Sequence, residues 1–233
     1  MSNLLSDTMD HIPWNIKDGI LALLLLLVLN IILGALIALT GRAIHLSIYF
    51  LMILITITTI LLTLFLTWFF TVKKYHVSFR RLGFQKIEIF SQIPFVIIAE
   101  ISVFILENAY AFFLLYLVKA KIPEQPIFQM FGRGRGHFLF ALILIAVLAP
   151  ISEEMFFRGF IYTAFRERYG VLYGVLISSG IFALFHILPL LMVPIFIIGV
   201  ALSWLYEYRK SLVAPIMLHA LNNLLALLYL YYR

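Results

Sequence analysis

Long, almost uninterrupted apolar stretches dominate this chain, and they decide in which solvent it can fold. A membrane-spanning helix needs about 20 predominantly apolar residues. Seven stretches of about this length follow one another: Gly19–Thr40, Leu46–Val72, Pro94–Val118, 138–166, Val171–Leu188, Pro189–Tyr206 and Leu212–Tyr232. Only 12% of the residues are charged, against roughly 25% in soluble domains. The sequence therefore predicts an all-α, polytopic transmembrane helical bundle and excludes a soluble enzyme or a disordered chain.

The number of spans depends on the fourth stretch, which contains Pro150. We expect seven spans, or eight if this stretch divides into two pieces at the proline. Residues 1–18 form a polar or interfacial lead, because their acidic residues do not suit the n-region of a signal peptide and Trp14 suits an interfacial anchor. Residues 19–233 then form a single transmembrane domain.

The net charge of +6 does not indicate a nucleic-acid partner. The basic residues lie at the ends of the apolar stretches, where they orient spans and contact anionic lipid. Ten Lys and Arg residues fall on the side of the N-terminus and six on the other, which favours an N-terminus inside. We expect a multi-pass protein of a cell membrane, of the prokaryotic cytoplasmic kind, with membrane lipid as a partner.

A few ionisable residues interrupt the apolar stretches of the second half, although such residues are costly in a membrane. Glu154 and Arg158 are four residues apart and can form an ion pair on a helix. That pair leaves Glu153 unexplained, since adjacent helical residues point about 100° apart. A desolvated carboxylate beside a second one suits a general base or acid.

Two later stretches also carry polar residues. Phe182 and His186 form a Phe-x-x-x-His pattern near the end of one stretch. In the last stretch, His219 and Asn223 share a helical face that Asn222 borders. Taken alone, each group fits a packed histidine or a hydrogen bond between helices.

Three spans that each bring a polar cluster indicate one shared site. A carboxylate can take a proton from water, and His and Asn side chains can hold that water or stabilise an oxyanion. Alternatively, Glu153, His186 and His219 could hold a divalent metal such as zinc with an open position. No cysteine is present to supply thiolate ligands. The residues leave both chemistries open.

These patterns resemble the CPBP family of intramembrane proteases, named for CAAX proteases and bacteriocin processing and also called Abi. The family motifs Glu-Glu-x-x-x-Arg, Phe-x-x-x-His and His-x-x-x-Asn occur here in the same order, and the similarity covers residues 138–228 as the candidate catalytic core. The resemblance implies an endopeptidase like the CAAX prenyl endopeptidases, acting on a peptide or protein substrate, including a lipidated one. It implies both metal-dependent and metal-independent chemistry for relatives.

The resemblance also implies a role for each motif residue. Glu153 and His186 would activate water, His219 and Asn223 would stabilise the oxyanion, and Glu154 belongs to the same catalytic set. The site-shaping residues would be Arg158, Phe182 and Asn222.

A second class of function stays open beside the protease. A non-catalytic membrane protein, such as a bacteriocin immunity or scaffold protein or a small-molecule transporter, could use the same polar cavity. A transporter usually contains inverted repeats with broken helices in both halves, whereas the polar residues here crowd into one half. Glu100 and Glu107, seven residues apart in the third stretch, share a helical face and would either line a side wall of the cavity or pair with basic residues.

Overall fold

The computed structural model describes residues 11–85, 87–120, 134–186 and 189–232, and each regular element among them is a helix. The predicted all-α transmembrane bundle is thus confirmed. The helices in the described ranges are α1 (Ile16–Ala43), α2 (Ile48–Lys73), α3 (Phe90–Val118), α4 (136–169), α5 (171–185), α6 (Pro189–Arg209) and α7 (Val213–Tyr232).

Two of the predicted spans form one helical stretch, Gly136–Phe185, so six stretches of the described chain are long and apolar enough to cross a membrane. This stretch is broken at Gly170, whose φ of 82° and ψ of 172° are accessible to glycine. A Cβ atom on Gly174 would lie 3.0 Å from the backbone nitrogen of Arg166, although a straight helix would separate these residues by about 12 Å. The chain therefore turns back, and α4 and α5 are two passes.

The helix α4 continues through Pro150, so the structure does not divide the fourth predicted span there. The α-helical bonding pattern gives way to π-helical bonding just before the proline, over Leu142–Leu148, and again after it, over Met155–Tyr162. A wider turn accommodates the proline ring and its missing N–H group without ending the helix. Including both arms of the hairpin, the described helices make seven passes.

The N-terminal lead is anchored inside the bundle over its described residues. Trp14 is only 2% exposed, because its indole N–H donates to Thr163 Oγ1 at 3.0 Å on α4. Asp18, in the first turn of α1, accepts hydrogen bonds from Lys74 and from the Tyr75 hydroxyl. The hydrogen bond to Asp18 raises the pKa of Lys74 above its ordinary value. Trp14 is thus a packing residue in this structure, not the interfacial anchor that the sequence predicted.

The turns between α2 and α3, between α4 and α5, and between α6 and α7 lie at the end of the bundle where α1 begins. The Leu212 N–H donates to the Gly83 carbonyl at 2.9 Å, which ties the α6–α7 turn to the α2–α3 connection. Glu207 on α6 accepts from the Tyr162 hydroxyl at 2.7 Å and pairs with Arg166 at 2.8 Å, both on α4. These contacts fix α4, α6 and α7 relative to one another.

The buried side chains concentrate in the second half of the chain. Phe156, Phe160, Leu202 and Leu218 are completely buried between α4, α6 and α7. In α1 and α3, by contrast, large apolar side chains such as Ile31 and Ile98 are exposed. Lipid tails are as apolar as these side chains, so the outer faces of the first three helices suit lipid and the C-terminal helices enclose the polar groups.

Candidate active site

Glu153 and Glu154 lie near the middle of α4, one turn after Pro150, and they point in different directions. The Glu154 side chain is completely buried, whereas that of Glu153 is 29% exposed. The difference follows from the rotation of about 100° between neighbouring helical residues. One carboxylate therefore faces the protein interior, and the other lies at the edge of the site.

Glu154 holds Arg158 in a completely buried ion pair. Arg158 Nη1 lies 2.9 Å from Glu154 Oε1, and its Nη2 donates to the Gly199 carbonyl at 3.2 Å on α6. The guanidinium carbon also lies 4.4 Å from the centre of the Phe182 ring. A buried charge is tolerated when its partner and hydrogen bonds compensate for the lost water. Arg158 thus links α4 to α5 and α6.

Gly199 leaves the space that this arrangement needs. A Cβ atom at position 199 would lie 3.1 Å from the Ser179 Cβ and 3.4 Å from the Phe182 ring. The contact with Ser179 is tighter than Cβ atoms normally make, so α5 or α6 would have to shift by a few tenths of an ångström. The absence of a side chain lets the Gly199 carbonyl approach Arg158.

Glu154 also binds His219 on α7. His219 Nδ1 lies 2.8 Å from Glu154 Oε1, and its Nε2 lies 3.8 Å from Glu153 Oε2. A carboxylate beside Nδ1 favours a proton on that nitrogen and fixes the ring orientation. The other ring nitrogen then faces Glu153. His219 is 5% exposed, so this orientation is set within the protein.

One oxygen of each glutamate is buried without a hydrogen-bond partner among the described residues. These atoms are Glu153 Oε2 and Glu154 Oε2. Buried polar atoms are nearly always hydrogen-bonded, and an exception calls for an explanation. The distance between Glu153 Oε2 and His219 Nε2 exceeds hydrogen-bonding range but suits a bridging water molecule.

His186 lies at the edge of this cluster and reaches it through Phe182. Its Nδ1 lies 2.8 Å from the Phe182 carbonyl oxygen, as expected for a histidine that ends α5. The Phe182 ring packs edge-on against both imidazoles, with centroid distances of 4.7 Å to His186 and 5.7 Å to His219. In the described part of the chain, no hydrogen bond or ion pair joins His186 to Glu153.

The two asparagines of α7 contact different helices. Asn223 Nδ2 donates to the Ile145 carbonyl of α4 at 2.9 Å. Asn222 lies near the carboxyl group of Glu100 on α3. Glu100 is 8% exposed, and Glu107, about two turns further along the same face of α3, is partly buried. That Glu100 and Glu107 line a side wall of the cavity stays a prediction.

The structure brings five of the predicted site residues into one connected group: Glu153, Glu154, Arg158, Phe182 and His219. His186 borders it, and Asn223 lies one helical turn along α7 from His219. The Ile145 carbonyl was not predicted, because a backbone acceptor leaves no side-chain signal. The one indication of it in the sequence is Pro150, five residues later, because a proline cannot donate a hydrogen bond to that carbonyl.

An apolar cavity of about 440 Å³ lies next to this group between α3, α4 and α7. It contains none of the predicted site residues. Its walls include Ile93, Val96, Ala146, Met217, Leu221 and Leu224. Ala146 follows Ile145, and Leu224 follows Asn223, so the cavity lies beside the contact between these two residues.

The candidate metal ligands Glu153, His186 and His219 lie on α4, directly after α5 and on α7. Among the described residues, no group of three His, Asp or Glu side chains is spaced to hold a metal ion. Nδ1 of His219 hydrogen-bonds to Glu154, and Nδ1 of His186 hydrogen-bonds to the Phe182 carbonyl. The ligand set of Glu153, His186 and His219 therefore stays a prediction, and no chemical step is assigned to a metal below.

Comparison with known proteins points to the same part of the chain. Residues 135–225 match the family model described as Type II CAAX prenyl endopeptidase Rce1-like. The resemblance to the CPBP intramembrane proteases is confirmed. This Rce1-like region runs from the start of α4 into α7 and includes all the predicted site residues.

Two curated relatives match parts of the chain. One is an Escherichia coli protein described as an uncharacterized 24.3 kDa protein, 29% identical over 46% of this chain and 53% of its own length. The other is UPF0177 protein YxdF of Lactococcus lactis, 28% identical over 35% of this chain and 45% of its own length. The chain thus spans about half the length of the curated relatives it matches. No solved structure matches it significantly.

Proposed function

We propose that this protein is an intramembrane endopeptidase, in which Glu153 activates water for attack on a peptide bond. The observation that carries the proposal is the position of Glu153 Oε2, which is buried without a hydrogen-bond partner in the described residues. It lies 3.8 Å from His219 Nε2, and a water molecule between them would hydrogen-bond to both. The family match over the same residues supports this reading.

The proposed reaction needs only groups of this chain and water. Glu153 removes a proton from the water molecule as its oxygen attacks the carbonyl carbon of the peptide bond. In its imidazolium form, with the Nδ1 proton held by Glu154, His219 donates a hydrogen bond to the oxyanion through Nε2, and the Asn223 amide donates a second. When the carbon–nitrogen bond breaks, the proton on Glu153 moves to the departing amine. His186, whose Nδ1 faces the Phe182 carbonyl, would hold the water through Nε2.

The proposed substrate is a peptide or protein that reaches the site from the membrane, including a prenylated one. The description of the Rce1-like family supports this class. The apolar walls of the cavity between α3, α4 and α7 also suit an apolar part of a substrate better than a polar one. The surrounding lipid is the second partner.

The test is cleavage of a fluorogenic peptide by the purified full chain in lipid nanodiscs. The peptide is supplied with and without a farnesyl group, and mass spectrometry identifies the bond that breaks. We expect one internal cleavage that is absent from the Glu153→Ala protein. Binding of the peptide without cleavage by either protein would contradict the proposal and favour the non-catalytic class.

Metal dependence is tested on the same sample. Because no three candidate ligands converge in the described residues, we expect the cleavage rate to stay within about twofold after dialysis against a chelator. Elemental analysis should then give less than about one equivalent of zinc per chain. A loss of activity that added zinc restores would instead support the ligand set of Glu153, His186 and His219.

A further inference from the structure

The Ile145 carbonyl on α4 has lost both of its backbone hydrogen-bond donors. In an α-helix this carbonyl would accept from the Ala149 N–H, and in a π-helix from the residue at position 150. The Ala149 N–H donates to Leu144 instead, and Pro150 has no N–H. A backbone carbonyl away from water needs another partner.

Asn223 supplies that partner from α7. Its Nδ2 donates to the Ile145 oxygen at 2.9 Å. The contact also fixes the orientation of the amide, because a flipped amide would bring Asn223 Oδ1 against the carbonyl oxygen. One of the two N–H groups on Nδ2 is used in this bond, which leaves the second for another acceptor.

We propose that Pro150 is a positioning residue, which keeps the Ile145 carbonyl free to hold the Asn223 amide in the orientation for oxyanion stabilisation. This inference rests on the proposed function for its consequence in catalysis. The coupling between Pro150 and Asn223 is a property of the fold and exists with or without catalysis. Pro150 does not end α4, which continues through it. Its effect comes instead from the missing backbone N–H, which leaves the Ile145 carbonyl without a helical donor.

A simpler role for Pro150 makes a different prediction. If the proline only shapes α4 so that Glu153 and Glu154 are placed correctly, its replacement harms the site whether or not Asn223 is present. The two substitutions would then have independent effects. If Pro150 acts through the Ile145 carbonyl, the effects of the two substitutions depend on each other.

The first measurement is a double-mutant cycle on unfolding in detergent micelles. Asn223→Ala leaves the Ile145 carbonyl unpaired and should lower the unfolding midpoint. In the Pro150→Ala background, the restored N–H can pair with this carbonyl, so Asn223→Ala should have less than about half of that effect. Equal effects in both backgrounds would overturn the coupling. Pro150→Gly, which restores the same N–H, replaces Pro150→Ala if the latter does not fold.

The second measurement is the same cycle on peptide cleavage. We expect Asn223→Ala to lower kcat about 10²-fold and Pro150→Ala about tenfold, both with little change in KM. The double variant should be no slower than Asn223→Ala alone. Pro189→Ala is the matched control, since Pro189 is the first residue of α6, where a backbone N–H has no helical acceptor.

The outcomes separate this inference from the proposed function. Multiplicative losses of kcat, or an unchanged kcat in the Pro150→Ala protein, would overturn the positioning role while leaving a Glu153-dependent protease intact. If the wild-type chain cleaves no peptide, the proposed function fails. The unfolding cycle still decides in that case whether Pro150 and Asn223 are coupled.

Discussion

Replacement of Glu153 by glutamine is expected to lower kcat for peptide cleavage by about 10³-fold, with KM nearly unchanged. A general base contributes about 10² to 10⁴ in rate, and glutamine has almost the size of glutamate but cannot take a proton from water. Glu153 Oε2 has no hydrogen-bond partner in the described residues, so the substitution should leave the fold intact. Initial rates over a range of peptide concentrations, with the unfolding midpoint beside them, measure both effects.

The matched control is Glu167→Gln on the same helix. Glu167 is partly exposed at the N-terminal end of the bundle, where it faces His11 at 3.2 Å. This variant should retain the wild-type rate, since it removes an equivalent charge far from the candidate site. A Glu153→Gln protein that keeps more than about a tenth of the wild-type kcat would exclude Glu153 as the general base.

The helices were predictable because a membrane strongly restricts the structures that an apolar segment can form. Backbone groups in lipid must be satisfied within a helix, so a long apolar stretch such as Gly19–Thr40 leaves few other structures open. The reversal at Gly170 was also predictable, because the charged residues 166–168 separate two apolar stretches there. The buried position of Trp14 could not be predicted, since it depends on a hydroxyl that is 149 residues away in the chain.

The composition of the candidate site was predictable from the cost of ionisable groups in apolar helices. Glu154, Arg158 and His219 stand out because each would be expensive alone, and the structure joins them through one carboxylate oxygen. The spacing of Glu153 and Glu154 did not predict which of them is buried against Arg158 and which lies at the edge of the site. This difference depends on which one faces α7 and α6, and that is set by the packing of three helices.

Removal of the buried cation at position 158 is expected to destabilise the protein strongly. In the Arg158→Met variant the side-chain volume is nearly kept, but Glu154 loses its ion pair at 2.9 Å inside the protein. Breaking one side of a buried pair typically costs about 3–5 kcal/mol, because the remaining charge is uncompensated. Unfolding in detergent micelles, followed by tryptophan fluorescence, should show a correspondingly lower midpoint.

The companion substitution on Glu154 shows whether charge or packing causes this loss. Adding Glu154→Gln to Arg158→Met removes both charges, and the double variant should recover more than about half of the lost stability. It should remain catalytically poor, because glutamine no longer favours a proton on His219 Nδ1. Arg168→Met, at an exposed position of α4, is the control for loss of a positive charge and should change stability by less than about 0.5 kcal/mol. Equal destabilisation of the single and double variants would show that Arg158 acts through its packing on Phe182 and its bond to Gly199, so that the ion pair would not be the main contribution of Arg158 to stability.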